Sequence, residues 1–167
     1  ARLDDYAWLP ALRVESEIVR RGFLDHCMTL VERNPHGIPY SLNYGEGDHF
    51  DPVSKEFVNH DGAAGLTCAT FVLELFRSYG VELADRETWS ERAGDQIWAD
   101  RMFKSLLTYG GRDIAERVRA QVKAFELKPL RFRPEEVAAA GALYEGAPLS
   151  MDAVEAPAQR IVDMICG

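Results

Sequence analysis

"GAAGLTCATFVLELFRSYGVEL", residues 62–83, sets small residues in a loop, one cysteine at the loop's end, and an almost wholly apolar helix after it. With Cys68 at zero on a helical wheel, Val72, Leu75 and Tyr79 fall within about 40 degrees of it and Phe71 a little farther. The cysteine is therefore expected to crown the buried face. Thr70, Glu74 and Arg77 gather opposite as a narrow wet stripe, so this reads as the central helix, ending at Gly80, where a left-handed cap is cheap for glycine.

A thiol in the first turn of such a helix meets unpaired backbone N–H groups and the positive end of the macrodipole, and both favour thiolate over thiol. The same N–H groups, with loop glycines allowing close backbone approach, suit a developing oxyanion. Against this, a free cysteine packs readily as a small hydrophobe. Of the three cysteines, Cys27 falls on the apolar arc of an earlier helix and Cys166 at the C-terminus, which leaves Cys68 as the candidate nucleophile. The count is odd and the spacings long, so neither a disulfide framework nor a zinc ribbon is indicated.

Upstream, Val14 to Arg33 carries Val19, Phe23, Leu24, Cys27, Leu30 and Val31 on one side of a wheel, with His26 at the polar edge, and predicts an amphipathic helix that Asn34 and Pro35 stop. "HGIPYSLNYGEGDHFD", residues 36–51, reads as loop and short strand, and "FDPVSKEFV", residues 50–58, as a small hairpin. The acidic "GEGDHFD" lacks calcium-loop spacing and reads as a solvated turn. Downstream, "GDQIWADRMFKSLL" and "RDIAERVRAQVKAFEL" are two amphipathic helices parted by Gly110 and Gly111; "KPLRF" is a candidate short strand. "RPEEVAAAGALY" starts a helix with proline and two glutamates, and a last helix covers Met151 to Ile165 despite Pro157. This half contains no histidine.

At 167 residues the chain fits one domain, residues 1–167, with enough material for a core. A formal net charge of −8 with dispersed Lys and Arg disfavours nucleic acid as a partner. No apolar run approaches the length of a membrane span. No secretory signal is visible, which points to the cytoplasm, but the chain begins at Ala1 without methionine, so an upstream segment is expected to be missing from it.

"GIPYSLNYG", residues 37–45, followed by "GLTCATFVLELFRSYGVEL", resembles the papain-like cysteine hydrolases of the NlpC type, whose core runs Gly-x-Pro-Tyr, a glycine-rich stretch, then a Cys-bearing helix ending in Gly-Ile/Val-x-Leu. The resemblance covers Gly37 to Leu83. It implies an α+β, papain-like fold: a small antiparallel sheet packed on the central Cys-bearing helix, with a helical C-terminal half. It implies Cys68 as nucleophile with Tyr40 beside it, no cofactor, and a cysteine-dependent amidase or peptidase acting through a covalent acyl-enzyme on a peptide, peptidoglycan-stem or acyl-amide substrate.

Two departures matter. Thr67-Cys68-Ala69-Thr70 stands where the family has Asp-Cys-Ser-Gly. The family's histidine follows its cysteine, whereas His60 is the last histidine here. Three alternatives stay open. In the circularly permuted papain-like branch the histidine precedes the cysteine, which makes His60, His49, flanked by Asp48 and Asp51, and His36 candidate bases unless the base lies upstream of Ala1. The chain is otherwise an inactive papain-like binding or interaction domain, or Cys68 is merely core. An enzyme calls for an open Cys68 with an imidazole near its sulfur; an interaction domain calls for a buried one.

Overall fold

The computed structural model describes residues 16–42, 44, 47–58, 65–109, 116, 118–123 and 130–166. Its helices are α1 (Glu17–Arg33), α2 (Cys68–Ser78), α3 (Asp95–Tyr109), α4, described over 118–123, α5 (Pro134–Leu143) and α6 (Met151–Cys166), with a 3-10 turn at Arg86–Thr88. Each described cap explains a boundary. The Ser16 side chain accepts from Val19 N–H to start α1, and Thr67 and Thr70 exchange backbone and hydroxyl bonds in a capping box to start α2. Gly80, at φ 94°, ends α2 in a Schellman arrangement, Val81 N–H bonding to Phe76 O at 2.9 Å and Gly80 N–H to Arg77 O at 2.8 Å. Pro134 opens α5, and Glu136 reaches back to Arg133 N–H at 2.9 Å.

The expected α+β papain-like fold, with its small antiparallel sheet, is not what forms: the described residues are mostly helical and hold no β-strand. Pairing stops at two isolated bridges, Phe50 with Phe57 and Ala84 with Leu149. The reason is local. The would-be hairpin closes at once, because the Asp51 carboxylate takes the N–H groups of Val53 and Ser54 at 2.9 and 2.7 Å and Lys55 turns left-handed at φ 63°. One bridge spans that turn, and among the described residues no strand lies alongside to extend it into a ladder. In the candidate strand "KPLRF", the described residues 130–132 run without sheet pairing.

The main core is therefore built by helices. α5 buries Val137, Ala139 and Ala140 and α6 buries Val154, Ala158 and Ile161; the small side chains let the two helices approach closely, with Ala69 and Leu73 of α2 completing the layer. A second cluster joins Leu42, Ala99, Phe103 and Val118, with Trp98 and Val122 packed against it. It ties α3 and α4 to the segment carrying Tyr40.

α1 contributes one buried residue, Leu30, to this core. It is pinned to the end of α2 by a Phe23–Phe76 stack at 4.7 Å, by His26 Nε2 against Ser78 Oγ at 2.8 Å, and by Tyr79, whose hydroxyl donates to Val19 O at 3.2 Å across Gly22. Val19, Leu24 and Val31, expected on its buried side, are exposed, whereas His26, expected at the polar edge, lies at the contact. Val14, the expected start, lies outside the described residues. Among the described residues, no helix is long and apolar enough to cross a membrane.

Candidate functional site

The face that α2 turns inward differs from the wheel's. Ala69, Thr70, Leu73 and Glu74 are buried and Cys68 is exposed. Glu74, placed in the wet stripe by its charge, is 2% exposed. What offsets its desolvation is a ring of donors from three parts of the chain. Tyr44 donates its hydroxyl to Oε1, His49 aims its backbone N–H at Oε2 at 3.4 Å, and Arg86 and Arg77 stand 3.5 and 3.6 Å from Oε1. The His49 ring stacks on Tyr44 at 5.0 Å, and its Nδ1 lies 3.2 Å from Oε2, close enough to pair but off the line of a straight hydrogen bond. Burial pushes the Glu74 carboxyl up; the His49 and Tyr44 contacts and the charge of Arg86 outweigh it and hold it below the usual carboxylate range. Tyr44 is driven well above the ordinary phenol range by burial and by the Glu74 charge.

His49 is thus spent inside the core on Glu74. His36 is exposed in the turn after α1. His60 lies outside the described residues. Among the described residues no histidine bonds to the Cys68 sulfur, and no group of three or more His, Cys, Asp or Glu is placed to hold a metal ion.

The segment that carries Tyr40 is held against the loop that leads into Cys68. Gly65 presses its Cα face against the 39–41 backbone so closely that a Cβ there would lie 2.4 Å from Pro39 O and 2.7 Å from the Ser41 Cβ, and Leu66 N–H bonds to Pro39 O at 2.9 Å. The small residue before the cysteine thus admits a backbone. Gln121 Nε2 holds Tyr40 O at 3.0 Å from the other side. The Tyr40 hydroxyl group is raised above its ordinary value by burial first and by the Cys68 charge second, with Arg131 pulling it the other way. At the helix mouth, Thr67 and Thr70 N–H are taken by the capping hydroxyls and Phe71 N–H by Thr67 O. Among the described residues, Cys68 and Ala69 N–H remain as the donors there.

Sequence reasoning missed a second polar cluster behind this surface. Asp95, fully buried at the start of α3, takes Arg92 Nε at 3.0 Å and Arg133 Nη2 at 3.1 Å, with Arg131 Nη1 at 3.5 Å. Buried Glu136 takes Arg92 and the Trp89 indole N–H, the latter at 3.4 Å. Burial raises the Asp95 carboxyl, but its bonds from Arg92 and Arg133 hold it below the usual range. Three arginines with two acids around tryptophans was the available signal, but only the fold brings Arg92 within reach of Glu136.

In comparison with known proteins, the chain matches no protein-family model, no curated protein and no solved structure at a significant level.

Proposed function

We propose that the protein is a thiol-dependent acyl-transfer enzyme, an amidase or peptidase whose nucleophile is Cys68. The observation that carries this reading is an exposed thiol at the first position of α2, at the end of a loop that the Gly65–Pro39 contact holds against the segment carrying the exposed Tyr40. In this scheme the Cys68 sulfur attacks the carbonyl carbon, and the carbonyl oxygen takes up negative charge against the Cys68 and Ala69 N–H groups. Tyr40 donates a hydrogen bond to the substrate, a role its raised pKa suits because the hydroxyl keeps its proton. We assign proton transfer to His60, eight residues before the cysteine. It takes the thiol proton and returns it to the departing amine, and water then cleaves the thioester.

The test is capture of the thioester. The folded protein is mixed with a 4-nitrophenyl ester and its intact mass read within seconds. A single acyl adduct mapping to Cys68, absent in Cys68→Ala and slowed at least tenfold in His60→Ala, is the expected result. Acylation spread over lysines, unchanged in Cys68→Ala, contradicts it.

A second reading, an interaction domain, draws on the outward stripe of Leu24, Met28 and Val31 on α1, which are 62%, 59% and 70% exposed.

A further inference from the structure

Residues 118, 121 and 122 form the inward face of α4, with Val118 and Val122 in the cluster that holds Leu42. A polar side chain, Gln121, lies on that face at 1% exposure. Among the described residues its amide makes a single bond, from Nε2 to Tyr40 O at 3.0 Å, and Oε1 is buried without a partner. An interior amide with an orphaned oxygen is a poor choice for stability, since an apolar side chain of similar size would fill the space without desolvating a polar group. What an apolar side chain lacks is the donor that Tyr40 O receives.

The segment that this donor holds is bonded to the loop before the thiol. Pro39 and Tyr40 carry consecutive carbonyls, and two different elements take them: Leu66 N–H bonds Pro39 O at 2.9 Å, two residues before Cys68, and Gln121 of α4 bonds Tyr40 O. Gly65 packs on the same Pro39 carbonyl, where a Cβ would lie 2.4 Å from the oxygen. One hydrogen bond leaves a segment free to turn about it, and a second on the neighbouring peptide removes that freedom. The Tyr40 side chain is 43% exposed, so its direction depends on where its main chain is held.

We propose that Gln121 is a positioning residue of the Cys68 site: its bond to Tyr40 O fixes the Tyr40 main chain against the loop that presents the thiol, and so aims the Tyr40 hydroxyl at the substrate. This rests on Cys68 being the nucleophile and Tyr40 a substrate contact. Gln121 touches neither the substrate nor the sulfur and acts through Tyr40 alone.

Two reactions at the same sulfur separate positioning from thiol reactivity. Acylation by a 4-nitrophenyl ester uses the Tyr40 contact, whereas alkylation by iodoacetamide needs only an accessible thiolate. Both rates are read at Cys68 by mass spectrometry in the folded protein, together with the urea midpoint. We expect Gln121→Met, which fills the space without the donor, to acylate about three- to tenfold more slowly, the rate equivalent of one hydrogen bond, while alkylation and the midpoint stay at wild-type values. In a Tyr40→Phe background the same substitution slows acylation no further. Gln121→Glu, of the same shape, donates to Tyr40 O only while its carboxyl is protonated, so its ratio of acylation to alkylation climbs toward wild type as pH falls. Wild-type acylation in Gln121→Met, an equal loss in both reactions, or a full further loss in the Tyr40→Phe background overturns the positioning role and leaves the nucleophile standing. If the methionine variant does not fold, a ratio in Gln121→Glu that tracks wild type at every pH overturns it equally. No acyl adduct at Cys68 in the unsubstituted protein overturns the nucleophile, and this inference with it.

Discussion

A carboxylate buried as deeply as Glu74 is stable only while its donors stay in place. Removing it strands Tyr44, His49, Arg77 and Arg86 around an empty position, and breaking a buried ion pair costs about 3–5 kcal/mol. We expect Glu74→Ala to lose stability of that order in urea unfolding and Glu74→Gln, which keeps the shape, to lose less. An unchanged midpoint in Glu74→Ala would show that the ring contributes nothing. The pH dependence follows from the same residue and from Asp95. Both carboxyls are held below their ordinary values in the fold, so each contributes stability that is fully present above the usual carboxylate range, about pH 4–5, and is lost as pH falls through the depressed folded values. Stability measured from pH 6 down to pH 3 should fall steeply, and the slope should flatten in the Glu74→Gln and Asp95→Asn variants. Charge alone had placed Glu74 in water. Its hydrogen-bond donors His49 and Tyr44 lie 25 and 30 residues before it in the chain, so no local pattern revealed them.

At the scale of elements, ends were far more legible than faces. Gly80 and Pro134 were read as boundaries because caps are local chemistry, settled within four residues, and the Ser16 and Thr67 caps, which were not read, are equally local. Thr67→Ala should cost about 1 kcal/mol, and Gly80→Ala about 1–2 kcal/mol from left-handed strain at a position with open space around it. Gly65→Ala is a different matter: its new Cβ meets backbone at 2.4 Å, and the segment holding Tyr40 has to move. We expect a loss of about 1–3 kcal/mol together with slower alkylation of Cys68, read in one denaturation and labelling series. Wild-type behaviour in both would remove Gly65 from the site. The faces of α1 and α2 misled because the inward side of a helix is set by whatever packs on it, most of all on α2, which is apolar over most of its circumference. On α2 that choice was made by Tyr44 and His49, and on α1 by Phe76 and Tyr79.

For the whole molecule, the helical C-terminal half follows from its periodicity, Pro134 and the small residues of α5, whereas the sheet was expected from the hairpin at residues 50–58, from "KPLRF" and from the resemblance. Short segments broken by prolines and glycines made two bridges, and the helices supplied the core instead. The thiol site does not depend on that sheet. It depends on α2, on the Gly65–Pro39 contact and on Tyr40. The most direct test of the Cys68 nucleophile is the rate of iodoacetamide alkylation at pH 7, resolved by site in the folded protein. We expect Cys68 to react about tenfold or more faster than Cys166, which is also exposed, and Cys27 to lag, its thiol pushed up by burial. Cys68 reacting no faster than Cys166 would contradict an activated nucleophile and leave an exposed cysteine at the start of a well-capped helix.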